Sequence, residues 1–255
     1  MLGIIMAIAK NTFLEGVRDR IFLVLILFFV VMLIVSIFLG SISVHQDSKI
    51  IGDFGIAASE LFSLAIAVFV GASLLSKEIE KRTIIVLLSK PITSTGFIIG
   101  KFIGLAMMML VILLAMLGIY GGISLLYHFW NVNILIIFAL IYLQMLIIIG
   151  LSLFFSSFTS PMLVVLLTIL TYLIGHMVGD LHEFAKIMHN PAITAVTQGL
   201  SYILPNLDML NIKNTIFYEG HQVSAQYILY AIAYSVIYTA VILGITVLNF
   251  KKREF

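Results

Sequence analysis

Long apolar runs broken by short polar stretches dominate the chain. Six of them are long enough to cross about 30 Å of hydrocarbon at about 1.5 Å per residue. They cover residues 21–39, 56–75, 102–123, 134–155, 162–178 and 227–248. Ahead of the first run, Leu2, Ile5, Met6, Ala9, Phe13 and Val17 recur at helical spacing, opposite Lys10, Asn11, Glu15 and Arg18. That pattern predicts an amphipathic helix lying on the inner membrane surface over residues 1–20, ahead of a single transmembrane domain over 21–255. A basic anchor that only orients the first span is the plainer reading. The first run has 19 residues, longer than the roughly 7–15 of a cleaved signal core, which predicts an uncleaved span.

An even number of spans puts both termini on one side, and the basic residues choose the side. Lys10, Arg18, Arg20, Lys77, Lys81, Arg82, Lys90, Lys101, Lys251, Lys252 and Arg253 fall inside, against Lys49, Lys186 and Lys213 outside. Both termini are therefore expected in the cytoplasm. With 62% hydrophobic and 10% charged residues, the chain lies far from the roughly 25% charged usage of soluble domains. Its 255 residues are committed to spans and leave no room for a soluble catalytic domain of about 100 residues, so nucleotide chemistry must come from another chain. The sequence has no cysteine, which removes disulfides, thiolate metal sites and cysteine nucleophiles. The net charge of +2 indicates little as a total, and no nucleic-acid partner is expected.

The polar break over 76–101 is a charged island, holding seven of the 26 charged side chains. Its charged turn of Lys77, Glu78, Glu80, Lys81 and Arg82 leads into the apolar residues 84–88 before Pro91 stops the helix. Thr93, Ser94 or Thr95 can cap the helix that follows. A solvated positive-inside loop would suit the charge alone. Five consecutive apolar residues facing water need a cover, however, and a short helix docking in a partner's groove supplies one.

These residues resemble the permease subunits of ATP-binding-cassette transporters of the ABC type-2 membrane class. The resemblance rests on Gly71, Lys77, Glu78, Arg82, Thr83, Leu88, Ser89, Pro91, Gly100 and Lys101, and extends over most of the chain. The chain departs from the pattern at Arg82, where many relatives carry glycine. The resemblance implies a multi-pass protein of a bacterial or archaeal cytoplasmic membrane, of which an exporter is the expected kind. It implies a second copy of this or a similar permease and a dimer of cytoplasmic ATPases, which hold the ATP and magnesium; no cofactor is expected in this chain. It also implies a coupling helix between spans two and three, with Glu78, Lys81, Arg82, Thr83, Leu87, Leu88 and Pro91 as contacts to the ATPase. A weaker resemblance is to permeases of systems that mature nitrous-oxide reductase, so an extracytoplasmic protein is a further candidate partner. The residues themselves leave substrate and direction open.

Other features refine this reading. Gly96, Gly100 and Lys101 imitate a phosphate-binding loop, but three residues separate the glycines where four are needed, and Phe102 replaces the magnesium-binding hydroxyl. The pairs Gly100/Gly104, Gly118/Gly122 and Gly175/Gly179 let helices approach closely, within the chain for most of them. Glu60, expected about one turn from the outer end of span two, should face protein or water, since an unpaired charge costs roughly 2.5–3.5 kcal/mol in a membrane. Glu60 and Gln144 are candidates to line a cavity. The six histidines, His45, His128, His176, His182, His189 and His221, fall on or near the outer face. His176, Asp180 and His182 are weak metal candidates, and with no set of three ligands no metal is expected. In the outer segment 179–226, Pro191 and Pro205 divide two short amphipathic helices, with Phe184, Pro205 and Asp208 as candidates for an outer gate or partner surface.

The expected fold is an all-α membrane protein: six transmembrane helices, an N-terminal surface helix and short outer helices between spans five and six. The expected function is an ATP-powered permease. The other classes are a non-transporting membrane scaffold for an extracytoplasmic maturation complex and, with no nucleophile, base and orienting group at one depth, a membrane-embedded enzyme.

Overall fold

Without water in the bilayer, each backbone N–H and C=O must be satisfied within its own segment, so spanning runs become helices or closed barrels. The computed structural model, which describes residues 2–18, 20–42, 47–80, 93–188, 197, 199, 201, 204–213 and 223–251, takes the helical solution. Its described α-helices are α1 (Leu2–Val17), α2 (Arg20–Ile42), α3 (Asp47–Glu80), α4 (Ser94–Leu126), α5 (Asn133–Ser156), α6 (Pro161–Met188) and α7 (Ala225–Lys251), with a 3-10 turn at Asp208–Leu210. Five are long and apolar enough to cross a membrane: α3 over Ser48–Ser73, α4, α5, α6 over Pro161–Gly179, and α7. The described apolar stretch of α2 is shorter, Phe29–Phe38.

The helix ends follow local chemistry. Thr93 caps α4, its side chain accepting from the Gly96 amide at 3.2 Å. Pro161 opens α6 in the first turn, where a missing N–H costs nothing. At the end of α4, the Phe129 amide donates to the Ser124 carbonyl at 3.0 Å and that of His128 to Leu125 at 3.3 Å. This closure needs a left-handed residue, and His128 supplies it at φ 58°.

Two boundaries differ from the sequence expectation. α3 starts at Asp47 and runs 34 residues without a break, because the polar residues Asp47, Lys49 and Asp53, read as a loop, extend the helix beyond the apolar run. Glu60 therefore lies more than three turns from the start of its helix, not one. The first outer amphipathic pattern, from Leu181, is likewise no separate helix but the continuation of α6 to Met188. Pro191 and most of the second outer pattern lie outside the described residues.

At the centre stands α5, which packs against α3, α4, α6 and α7, while α2 packs chiefly along α3. Small residues set the closest approaches. A Cβ on Gly71 of α3 would lie 2.6 Å from the Ser152 hydroxyl of α5, and one on Gly55 would lie 2.6 Å from the Tyr120 ring of α4. Several interior hydroxyls donate to the carbonyl one turn back, Ser63 to Ser59 at 2.6 Å, Thr168 to Val164 at 2.7 Å and Ser235 to Ala231 at 2.8 Å, whereas those of Thr12, Ser152, Ser156 and Thr239 find no partner among the described residues.

Small residues also seat α1, which packs along α4. Ala9, Thr12 and Gly16 are buried, whereas Leu2 and Met6 of the predicted apolar stripe are exposed. The reason lies opposite: a Cβ on Gly104 would lie 2.5 Å from the Ala9 carbonyl oxygen, and one on Gly100 would lie 2.8 Å from Ile8. The narrow face of α1 meets the narrow face of α4, leaving part of the larger apolar face free. Lys101 is buried at this junction, 3.9 Å from Glu15 of α1 and 5.9 Å from the Phe97 ring, which itself stacks on Phe250 of α7. Gly118 and Gly122, in contrast, meet nothing within 4 Å among the described residues, where two of the three predicted glycine pairs serve packing within the chain.

Candidate functional site

The polar centre of the bundle is built around Glu60. Its side chain is 3% exposed, and Gln144, at mid-length on α5, is 1% exposed. A buried carboxylate is tolerable only when its lone pairs are occupied and its charge is matched. Both conditions hold. The Tyr172 hydroxyl of α6 donates to Glu60 Oε1 at 2.8 Å, and Gln144 Nε2 donates to the same oxygen at 3.2 Å. The Lys213 ammonium pairs with the other oxygen, Oε2.

His176 completes the cluster one turn after Tyr172, with their rings 4.5 Å apart. Its Nε2 stands 3.4 Å from Gln144 Nε2 and 3.4 Å from Glu60 Oε1, while Nδ1 stands 3.3 Å from the Tyr172 carbonyl. A neutral ring with its proton on Nδ1 fits the network: it donates to the carbonyl and accepts the second amide hydrogen of Gln144. In that form the cluster carries one negative charge, on Glu60, and one positive charge, on Lys213.

Three of the four partners of Glu60 sit on helices, and Lys213 does not. It arrives on the irregular segment 204–213, which folds back into the bundle against α6 and α7. The sequence fits this return at Gly175, where a Cβ would lie 2.7 Å from the Pro205 carbonyl oxygen and 3.0 Å from Leu207. The Leu207 amide donates to the Gly175 carbonyl at 3.0 Å. From α7, Tyr234 accepts from the Asn206 amide at 2.8 Å and Tyr227 donates to the Met209 carbonyl at 2.6 Å. The strap thus bridges α6 and α7 and delivers its lysine to α3. Burial pushes the Lys213 ammonium down, to about 8, and the facing carboxylate opposes that loss of a proton.

A second feature is apolar. A cavity of about 530 Å³ lies between α4, α5 and α7, lined by residues such as Leu110, Leu114, Phe138, Leu143 and Ile232. Neither Glu60 nor Gln144 lines it; they meet in the packed polar cluster instead.

Of the outer candidates, Pro205 is buried on the strap, and Asp208 is exposed at the start of the 3-10 turn, with its carboxylate beside Gly179. Phe184, Asp180, His182 and Glu78 are placed as helical backbone. Lys81, Arg82, Thr83, Leu87, Leu88 and Pro91 lie outside the described residues. His176 points into the bundle rather than to the polar outer surface, and among the described residues no group of three metal-ligating side chains comes together.

Sequence reasoning passed over Tyr172 and Lys213. Two signals were present: Tyr172 and His176 are four apart and share a helix face, and a buried Glu60 demands a counter-ion. The sequence offers only Lys49, Lys186 and Lys213 on the outer side, so the choice was among three. Nothing in the pattern says that segment 204–213 turns inward.

A search of curated proteins returns no match. Residues 6–255 match the family described as ABC-2 family transporter protein. That match covers nearly the whole chain and agrees with the many-helix membrane fold. In this family the chain is the membrane component, without a cofactor of its own, and ATP hydrolysis resides in a separate subunit. The chain belongs to the ABC-2 transporter family.

Proposed function

We propose that this chain is one half of a dimeric, six-span exporter with both termini in the cytoplasm, driven through residues 76–101 by two cytoplasmic ATPases. The observation that carries the proposal is the continuity of α3. This single helix from Asp47 to Glu80 carries Glu60 of the polar cluster and ends among the residues whose pattern suits docking. An α-helix of 34 residues is a rod of about 51 Å, longer than the hydrocarbon core. Force received at its inner end is delivered to Glu60 as motion of a packed rigid element. Glu60 in turn holds the outer strap through Lys213.

In this mechanism closure of the ATPases shifts the docked segment and tilts α3, and the strap at the outer mouth follows. The sixth span is α2, and its pairing with α3 gives an outward-and-return hairpin consistent with the charge asymmetry. The test is purification of the tagged chain with its partners, followed by ATPase assay of wild type and a Glu78→Ala, Arg82→Ala variant. An ATP-binding-cassette subunit is expected to co-purify with the wild type and to be lost or uncoupled in the variant. Recovery of the chain with no ATPase under any condition would refute the proposal.

A further inference from the structure

The Glu60 cluster is built asymmetrically. One carboxylate oxygen is held by two donors, Tyr172 and Gln144, both on helices. The other faces a single cation that enters from the outer side on a non-helical strap. The helical partners are fixed by the packing of the bundle. The strap is held by three hydrogen bonds, Leu207 to Gly175, Asn206 to Tyr234 and Met209 from Tyr227, by the fit of residues 205–207 against Gly175, and by Leu207 and Leu210, which are buried in the core, so that its withdrawal must draw these two side chains out with it. Withdrawal of the strap would leave Oε2 as a desolvated negative charge with its carboxylate already oriented.

We infer that Glu60, with Gln144 and Tyr172, forms a binding site for a primary ammonium group, and that Lys213 occupies it as a tethered ligand which a free amine must displace. The chemistry selects this class. The site offers one negative charge, matched by one positive charge, and an open acceptor oxygen rewards a cation that can donate a hydrogen bond. With one carboxylate and one imidazole, it falls short of the three ligands that would hold a divalent metal among the described residues. That the ligand is cargo rests on the permease reading; the site itself rests on the geometry.

The test uses the full chain in detergent and reads its melting temperature as n-propylammonium chloride is added, against equal potassium chloride. In Lys213→Ala the truncated stem leaves room for the probe. Its melting temperature is expected to rise saturably by a few degrees with n-propylammonium. Tetramethylammonium, which has no N–H, and magnesium are expected to have no such effect. Wild type, with its lysine in place, should respond weakly. The double variant Glu60→Gln, Lys213→Ala should not respond at all. An equal response to potassium, tetramethylammonium or magnesium, or a response that persists in the double variant, overturns the inference. Should Lys213→Ala not fold, Lys213→Met keeps the four-atom stem and leaves room for the ammonium ion itself, and the same comparison, with ammonium chloride as the probe, decides. No ATPase enters this experiment, so its failure leaves the permease reading standing, and absence of a co-purifying ATPase leaves the ammonium site standing.

Discussion

At the scale of single residues, the cost of the Glu60 cluster lies in its charges. Removing one partner from a buried ion pair strands the other, at about 3–5 kcal/mol, whereas replacing both by neutral groups of similar size is far milder. Glu60→Gln is therefore expected to destabilise the protein by about 3 kcal/mol, the low end, because the Lys213 side chain keeps 28% exposure. Adding Lys213→Met should restore most of that loss. Denaturation of the four proteins of this cycle gives the coupling directly, and strictly additive effects would show that the pair is not a unit. The sequence made Glu60 conspicuous, since an acid inside an apolar run is rare. It could not name the counter-ion, because the lysine lies more than 150 positions away on a segment with no regular pattern.

At the scale of elements, glycines decide who touches whom. Gly104 admits the α1 backbone, with a Cβ there only 2.5 Å from the Ala9 carbonyl oxygen. Gly104→Leu should force α1 off α4. A large side chain against backbone has nowhere to move, and overpacking costs about 1–3 kcal/mol. Limited proteolysis near Lys10 and Arg18 is expected to accelerate, while Gly118→Leu, in open space, should leave the cleavage pattern as in wild type. Equal protection of α1 in both variants would argue against the seating described. This contact shows how much of the fold the pattern could reveal. Helix periodicity found α1 and the glycine pairs separately. Close backbone approach at small residues, taken over burial of the most apolar face of α1, is what joined them. The same limit applies to α3, whose polar first turns read as loop because hydropathy reports the solvent around a helix and not the helix.

At the scale of the whole molecule, the order of spans fixes which loops share a side. The connection 127–132 between α4 and α5 is expected outside, and 157–160 between α5 and α6 inside. Because the sequence contains no cysteine, an introduced Val132→Cys is a clean reporter at an exposed position. A membrane-impermeant maleimide should label it in intact cells, and a Ser160→Cys companion only after the membrane is opened. The reverse pattern would invert the topology. The family pattern and the five described spans were legible because span length is set by the bilayer itself. The inward strap was not, since it is a tertiary choice with no period. Glu60 divides α3 into about 30 Å toward Glu80 and about 20 Å toward Asp47, at about 1.5 Å per residue. In the proposed mechanism, a sideways swing of the Glu80 end about a held Asp47 end would carry Glu60 and its paired lysine through about two-fifths of that distance, with force raised by the inverse ratio: a long arm working a short one.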